Sequence, residues 1–200
     1  MELKTPAQPT GLRRAVLAVA FLNLAYFGIE FIVARAIGSV SLLADSVDFL
    51  EDASVNLLIF FAYSWSAANR ARLGKVMAFI LVVPAAAFLW TVWQKFQAPV
   101  PPEPFILSAA GLGALVVNGF CAFLLASWRN IGGSITKAAF LSARNDAYAN
   151  LGIVAAGLVT AYAWPTIWPD LLVGFAIAAM NVDAAREVWE AANEEHEEVA

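Results

Sequence analysis

The segment SLLADSVDFLEDASVNLLIFFAYSWS, running from Ser41 to Ser66, decides the fold. It is long enough to cross a bilayer, since about 20 mostly apolar residues cover about 30 Å of hydrocarbon. Yet its first half carries Asp45, Asp48, Glu51 and Asp52. An ionisable group near the bilayer centre costs roughly 2.5–3.5 kcal/mol even on the lenient insertion scale. Such acids are too costly on a helix facing lipid on all sides. The segment therefore belongs to a bundle whose interior offers them a cavity, a cation or one another in protonated form.

Working outward, similar apolar stretches occupy 15–35, 76–96, 105–128, 135–163 and 166–189. The joints are short: Gly38-Ser39, Asn69 to Arg72, Pro99 to Pro104, Arg129 to Ser134, and Trp164-Pro165. None has room for a soluble domain. The expected architecture is an all-α integral membrane protein, a six-transmembrane-helix bundle over 15–189. A cytoplasmic segment, 1–14, precedes it and an acidic cytoplasmic tail, 190–200, follows. The apolar run after Arg14 is too long for the core of a signal peptide and lacks a convincing cleavage site, so it reads as the first span. Pro84 removes a backbone donor and is expected to kink the third span, either as a hinge or as a tolerated lipid-facing bend.

Composition agrees. Of 200 residues, 61% are apolar and 14% charged, with mean hydropathy +0.70; a soluble domain has about half and about a quarter. The formal net charge is −4 and no basic face recurs, which argues against a nucleic-acid partner. A single cysteine, Cys121, makes no internal disulfide and reads as a small packing residue of the fourth span. A single histidine, His196, rules out a histidine-rich catalytic site.

Basic residues orient the bundle. With the N-terminus inside, Lys4, Arg13, Arg14, Arg70, Arg72, Lys75, Arg129, Lys137 and Arg186 lie inside, and Arg35 and Lys95 outside. This asymmetry puts both termini in the cytoplasm, which requires an even number of spans. Trp65, Trp93, Trp128, Trp164, Trp168 and Trp189 fall near span ends, as interfacial anchors do.

The charges inside the spans carry the functional reading. Asp48 and Asp52 lie about 10 and 16 Å into the membrane, counted from Ser41 at 1.5 Å per residue. Asp146 lies about 13 Å in from the opposite side, counted from Lys137. The three carboxylates can therefore meet near the midplane. Asp48 and Asp52 are i and i+4, neighbours on one helix face, and Ser142, Asp146 and Asn150 form the same sort of stripe on the fifth span. Together they would make an oxygen-rich cage suited to a divalent cation. The bland alternative is polar glue between helices. Asp52-Ala53-Ser54-Val55-Asn56-Leu57 also echoes Asp146-Ala147-Tyr148-Ala149-Asn150-Leu151, an internal correspondence that falls on the acids. Arg144 sits about 200° around the helix from Asp146; it would pair with Glu51 or Glu30, or act as an internal counter-ion.

The stretch from Gly38 to Asp52 resembles the cation diffusion facilitator family of divalent-metal transporters: a glycine-serine approach to the second helix, then a [H/D]-x-x-x-D metal motif. Ala139 to Gly152 is similar to the family's fifth-helix motif, and Asn23 and Glu30 fit its polar first span. The resemblance covers essentially all six spans. It implies that Asp48, Asp52 and Asp146 are ligands of the transported metal. Where the family usually places His or Asp, four residues before the last aspartate, this chain has Ser142. Ser142 or Asn150 would then add a neutral oxygen. Zinc-handling members generally use the histidine, so this harder oxygen set leans towards manganese, iron(II), cobalt or magnesium, with zinc still open.

The resemblance further implies export of the metal with protons moving the other way, and a homodimer. Many relatives carry an appended cytoplasmic domain; here the chain ends soon after the sixth span, so dimer contacts would come from the membrane helices. His196 among glutamates would collect metal weakly or simply form a solvated tail. Adjacent carboxylates repel, so at least one holds a proton that a divalent ion would displace. Short joints suggest a bacterial inner membrane. Lipid alcohol phosphotransferases also use membrane aspartates with a divalent metal, but their D-x-x-D-G-x-x-A-R signature is absent, so no enzyme is expected. The alternative is a non-transporting relative, a metal sensor or accessory membrane protein.

Overall fold

A computed structural model describes residues 10–61, 85–128 and 133–180. Within them the chain forms six helices and no strand. These are α1 (Thr10–Ile37), α2 (Val40–Phe61), α3 (85–97), α4 (Pro104–Ala126), α5 (Gly133–Tyr162) and α6 (Trp168–Met180). Each coincides with an expected span. Pro84, Trp65, Trp189 and the acidic tail with His196 lie outside the described residues.

Local chemistry sets the helix ends. α1 stops at Gly38, whose φ of +65° is a conformation that glycine adopts without the Cβ penalty. The Ser39 N–H then bonds back to the Ala34 carbonyl at 3.0 Å, closing a Schellman turn that launches α2 antiparallel to α1. At the start of α4, the Glu103 carboxylate accepts from the Ile106 N–H. Pro104 gives up no donor in this first turn, since its N–H would have had no helical partner.

α1 and α4 are each long and apolar enough to cross a membrane, with mean hydropathy 2.1 and 2.0. Polarity is inverted relative to a soluble protein. Phe21, Ile32, Val116 and Phe123 are 64%, 69%, 64% and 71% exposed, whereas Asn23, Glu30, Asp45 and Asn150 are fully buried. Trp93, Trp164 and Trp168, near the ends of α3, α5 and α6, are exposed as an interfacial belt requires.

α1 packs on α2 and α4 on α5, while α1 also touches α4 and α2 touches α5. Two apolar clusters hold the ends of this arrangement. One joins Ala34, Val40, Leu42, Leu43, Leu107, Ile153 and Leu171; the other joins Leu12, Val16, Val19, Ile59, Cys121, Leu125 and Ala143. Asn23, Glu30, Asp45, Asp48 and Asp52 are buried along α1 and α2 between these clusters.

Candidate functional site

The register between α1 and α2 builds the site. Asn23 meets Asp52, Tyr26 meets Phe49 with ring centroids 5.0 Å apart, and Glu30 faces Asp45. In these three pairs the residue numbers rise on one helix as they fall by equal steps on the other, as an antiparallel pair requires. Two polar layers result, separated by an aromatic contact.

The first layer centres on Asp52. Its Oδ1 accepts from the Ser142 hydroxyl at 2.9 Å, and its Oδ2 from the Asn23 amide at 3.4 Å. The Cys121 thiol in turn donates to Asn23 Oδ1 at 3.5 Å. Helices α1, α2, α4 and α5 thus converge on one carboxylate. Asp48, one turn away on α2, lies close enough to Asp146, Asp45 and Asp52 to feel their charge. Asp146, on the same α5 stripe as Ser142, lies close enough to Asp52 and Asp45 to feel their charge. Asp48 and Asp52 are both buried.

The structure therefore brings four of the five expected residues, Asp48, Asp52, Ser142 and Asp146, together within about one helical turn at the α2–α5 contact. Asn150 lies one turn farther along α5, fully buried, and its amide bonds to none of the carboxylates. Among the described residues, no three acidic, thiol or imidazole groups stand close enough to enclose a metal ion. As the side chains stand, the acids share a layer rather than a closed cage. Arg144 is exposed and donates to its neighbour Asn145 at 3.3 Å. Glu30 has no hydrogen-bond partner, so pairing between Arg144 and Glu30 is not what the fold adopts.

Three residues escaped the sequence reading. Asn118 on α4 is buried with its Oδ1 unpartnered. Gly111 abuts Ile153 across the α4–α5 contact, and seven residues along each antiparallel helix Asn118 reaches the level of Asp146. A lone Asn in an apolar span was the available signal. Asp45 stood in the quoted stretch, but nothing local shows that Glu30 would face it. Asp170, in the first turn of α6, is fully buried and clamps the start of α2. It accepts from Ser39 Oγ at 2.7 Å, Val40 N at 2.8 Å, Ser41 N at 3.1 Å and Ser41 Oγ at 2.6 Å. It thereby satisfies N–H groups that a helix start leaves orphaned.

Residues 16–193 match the model of the cation efflux transmembrane domain. The chain belongs to the cation efflux family. It is accordingly an integral membrane protein of a family of cation transporters. Comparison with curated proteins returned no match. Against the cation efflux domain, the polar layers fall inside the matched region, and the acids become understandable as groups that a transporter of cations needs within its bundle.

Proposed function

We propose that this chain exports a divalent metal cation through a site between α2 and α5. Asp48, Asp52 and Asp146 would supply carboxylates and Ser142 a neutral oxygen, while Asn150 stands one turn farther along α5. The observation that carries this reading is the 2.9 Å hydrogen bond from Ser142 to Asp52, a link between the two helices at the depth of the acids. Two or three carboxylates held together in a membrane interior repel one another, and a divalent cation is the cargo that offsets their charge. With no imidazole at the position of Ser142, the oxygens favour manganese, iron(II) or cobalt over zinc.

Protons are the counter-ion in this reading. A bound cation displaces the proton that the crowded carboxylates otherwise retain, and reprotonation from the far side releases it. Rocking of the helices would expose the layer alternately to the two sides. Cytoplasmic termini, a bacterial inner membrane and a homodimer joined through membrane helices belong to the same proposal.

The test is metal flux in proteoliposomes across Zn, Mn, Fe(II), Co, Cd and Mg, with and without a pH gradient. The expected result is flux of one metal, accelerated by the gradient and abolished in Asp52→Ala. Absence of flux for every metal, from protein shown to be inserted and folded, would replace the transporter by a metal sensor or accessory membrane protein.

A further inference from the structure

The proposed metal layer leaves two deeply buried acids on the α1–α2 seam without a task. Glu30 and Asp45 are both fully buried, and their carboxyl groups face one another. None of their four oxygens has a hydrogen-bond donor. The Tyr26 hydroxyl beside them is engaged elsewhere, donating to the Ala110 carbonyl, while the Asn150 amide on α5, eight residues past Ser142, is fully buried and likewise unpartnered. A carboxylate buried without donor or opposite charge is strongly disfavoured, so either a cation or a proton shared between the two must neutralise this pair.

Position suggests what. The pair lies seven residues beyond Asn23 and Asp52 on the two helices, about 10 Å along the seam towards the α1–α2 turn. Asp48 stands between, four residues from Asp52 and three from Asp45. Successive carboxylates along α2 therefore rise by about 6 and about 4.5 Å.

We propose that Glu30 and Asp45 form a second cation site, which holds the cargo between the central layer and the α1–α2 end of the bundle. The proposal rests on the reading that the Asp52 layer carries the metal. Two carboxylates supply two negative charges and up to four oxygens, suited to a divalent cation whose remaining positions are filled by water. Two protein ligands hold an ion less tightly than three. Closely spaced sites of moderate affinity let an ion move on without falling into a deep trap. A proton shared between the two carboxyl groups would quiet the same oxygens without a cation, and the experiment separates the two.

The full chain in lipid nanodiscs is saturated with Mn(II), the bound ions are counted, and the electron paramagnetic resonance spectrum is recorded. The wild type is expected to show dipolar broadening from two Mn(II) ions about 10 Å apart, the seven-residue step between the layers. Glu30→Gln combined with Asp45→Asn should remove the broadening and lower the count by one ion per chain. Asp52→Asn should remove the other ion and leave this one. An unbroadened spectrum for the wild type, with the count unchanged in the double variant, overturns the proposal and assigns the pair to a shared proton. A count that falls in the double variant but not in Asp52→Asn keeps the second site and sinks the central one. Should the double variant fail to insert, Glu30→Gln alone is read the same way, and the wild-type spectrum needs no variant.

Discussion

Asp52 is the residue on which the polar layer turns, because both its oxygens are held by side chains from other helices. Neighbours that orient a metal ligand matter almost as much as the ligand, and their loss typically weakens metal affinity about 10–100-fold. Asn23→Ala should therefore weaken metal binding by about 10–100-fold, read by equilibrium titration, although Asn23 bears no charge. Ser142→His tests the other side of Asp52. An imidazole there offers a nitrogen to softer ions, so the ratio of Zn to Mn flux should rise at least about tenfold, the equivalent of about 1.4 kcal/mol. An unchanged ratio would mean that Ser142 stands too far from the ion to choose it.

At the scale of elements, the start of α2 is where most of the fold's specific geometry is concentrated. Gly38 occupies a left-handed conformation, so Gly38→Ala should cost about 1–2 kcal/mol. Asp170 reaches the same turn from α6 with both carboxylate oxygens engaged. Gly174, one turn along α6, lets the helix approach: a Cβ there would come within 2.8 Å of Val40 and 3.0 Å of the Ser41 nitrogen. Asp170→Ala strips acceptors from buried donors and should lower stability by about 1–3 kcal/mol. Unfolding in mixed detergent micelles measures both losses. Since α2 carries Asp45, Asp48 and Asp52, the Asp170 clamp also sets how deep these acids sit, and Asp170→Ala should reduce flux as well.

At the scale of the whole molecule, the described residues form an inside-out object, with many large apolar side chains facing outward and Glu30, Asp45, Asp48 and Asp52 buried between two apolar clusters. Position, not residue type, therefore decides whether an acid is tolerated. Val116 is exposed near the middle of α4, and Val116→Asp should raise the cost of membrane insertion by about 2.5–3.5 kcal/mol. The fraction inserted in a translocation assay checks this. Wild type, which carries more acids on α2 than Val116→Asp would add to α4, should insert well because Asp45, Asp48 and Asp52 are buried inside the bundle and not on its outer face.

The sequence by itself determined that this is a membrane bundle, which stretches hold the described helices, and that Asp48 and Asp52 share a face within it. Those conclusions need only local sums: hydropathy over one span, rise per residue, and the i, i+4 spacing of Asp48 and Asp52. Only the tertiary structure decided which neutral groups reach the acids. Asn23 comes to Asp52 across 29 residues and Ser142 across 90, while Ser39 bonds to Asp170 across 131. The facing of Glu30 and Asp45 belongs to the same class. A helix's own periodicity says which residues share a face, but not which face of a distant helix slides against it. That register is set by packing between α1, α2, α4 and α5, by the turn at Gly38 and by the Asp170 clamp, and it becomes visible only when the helices are together.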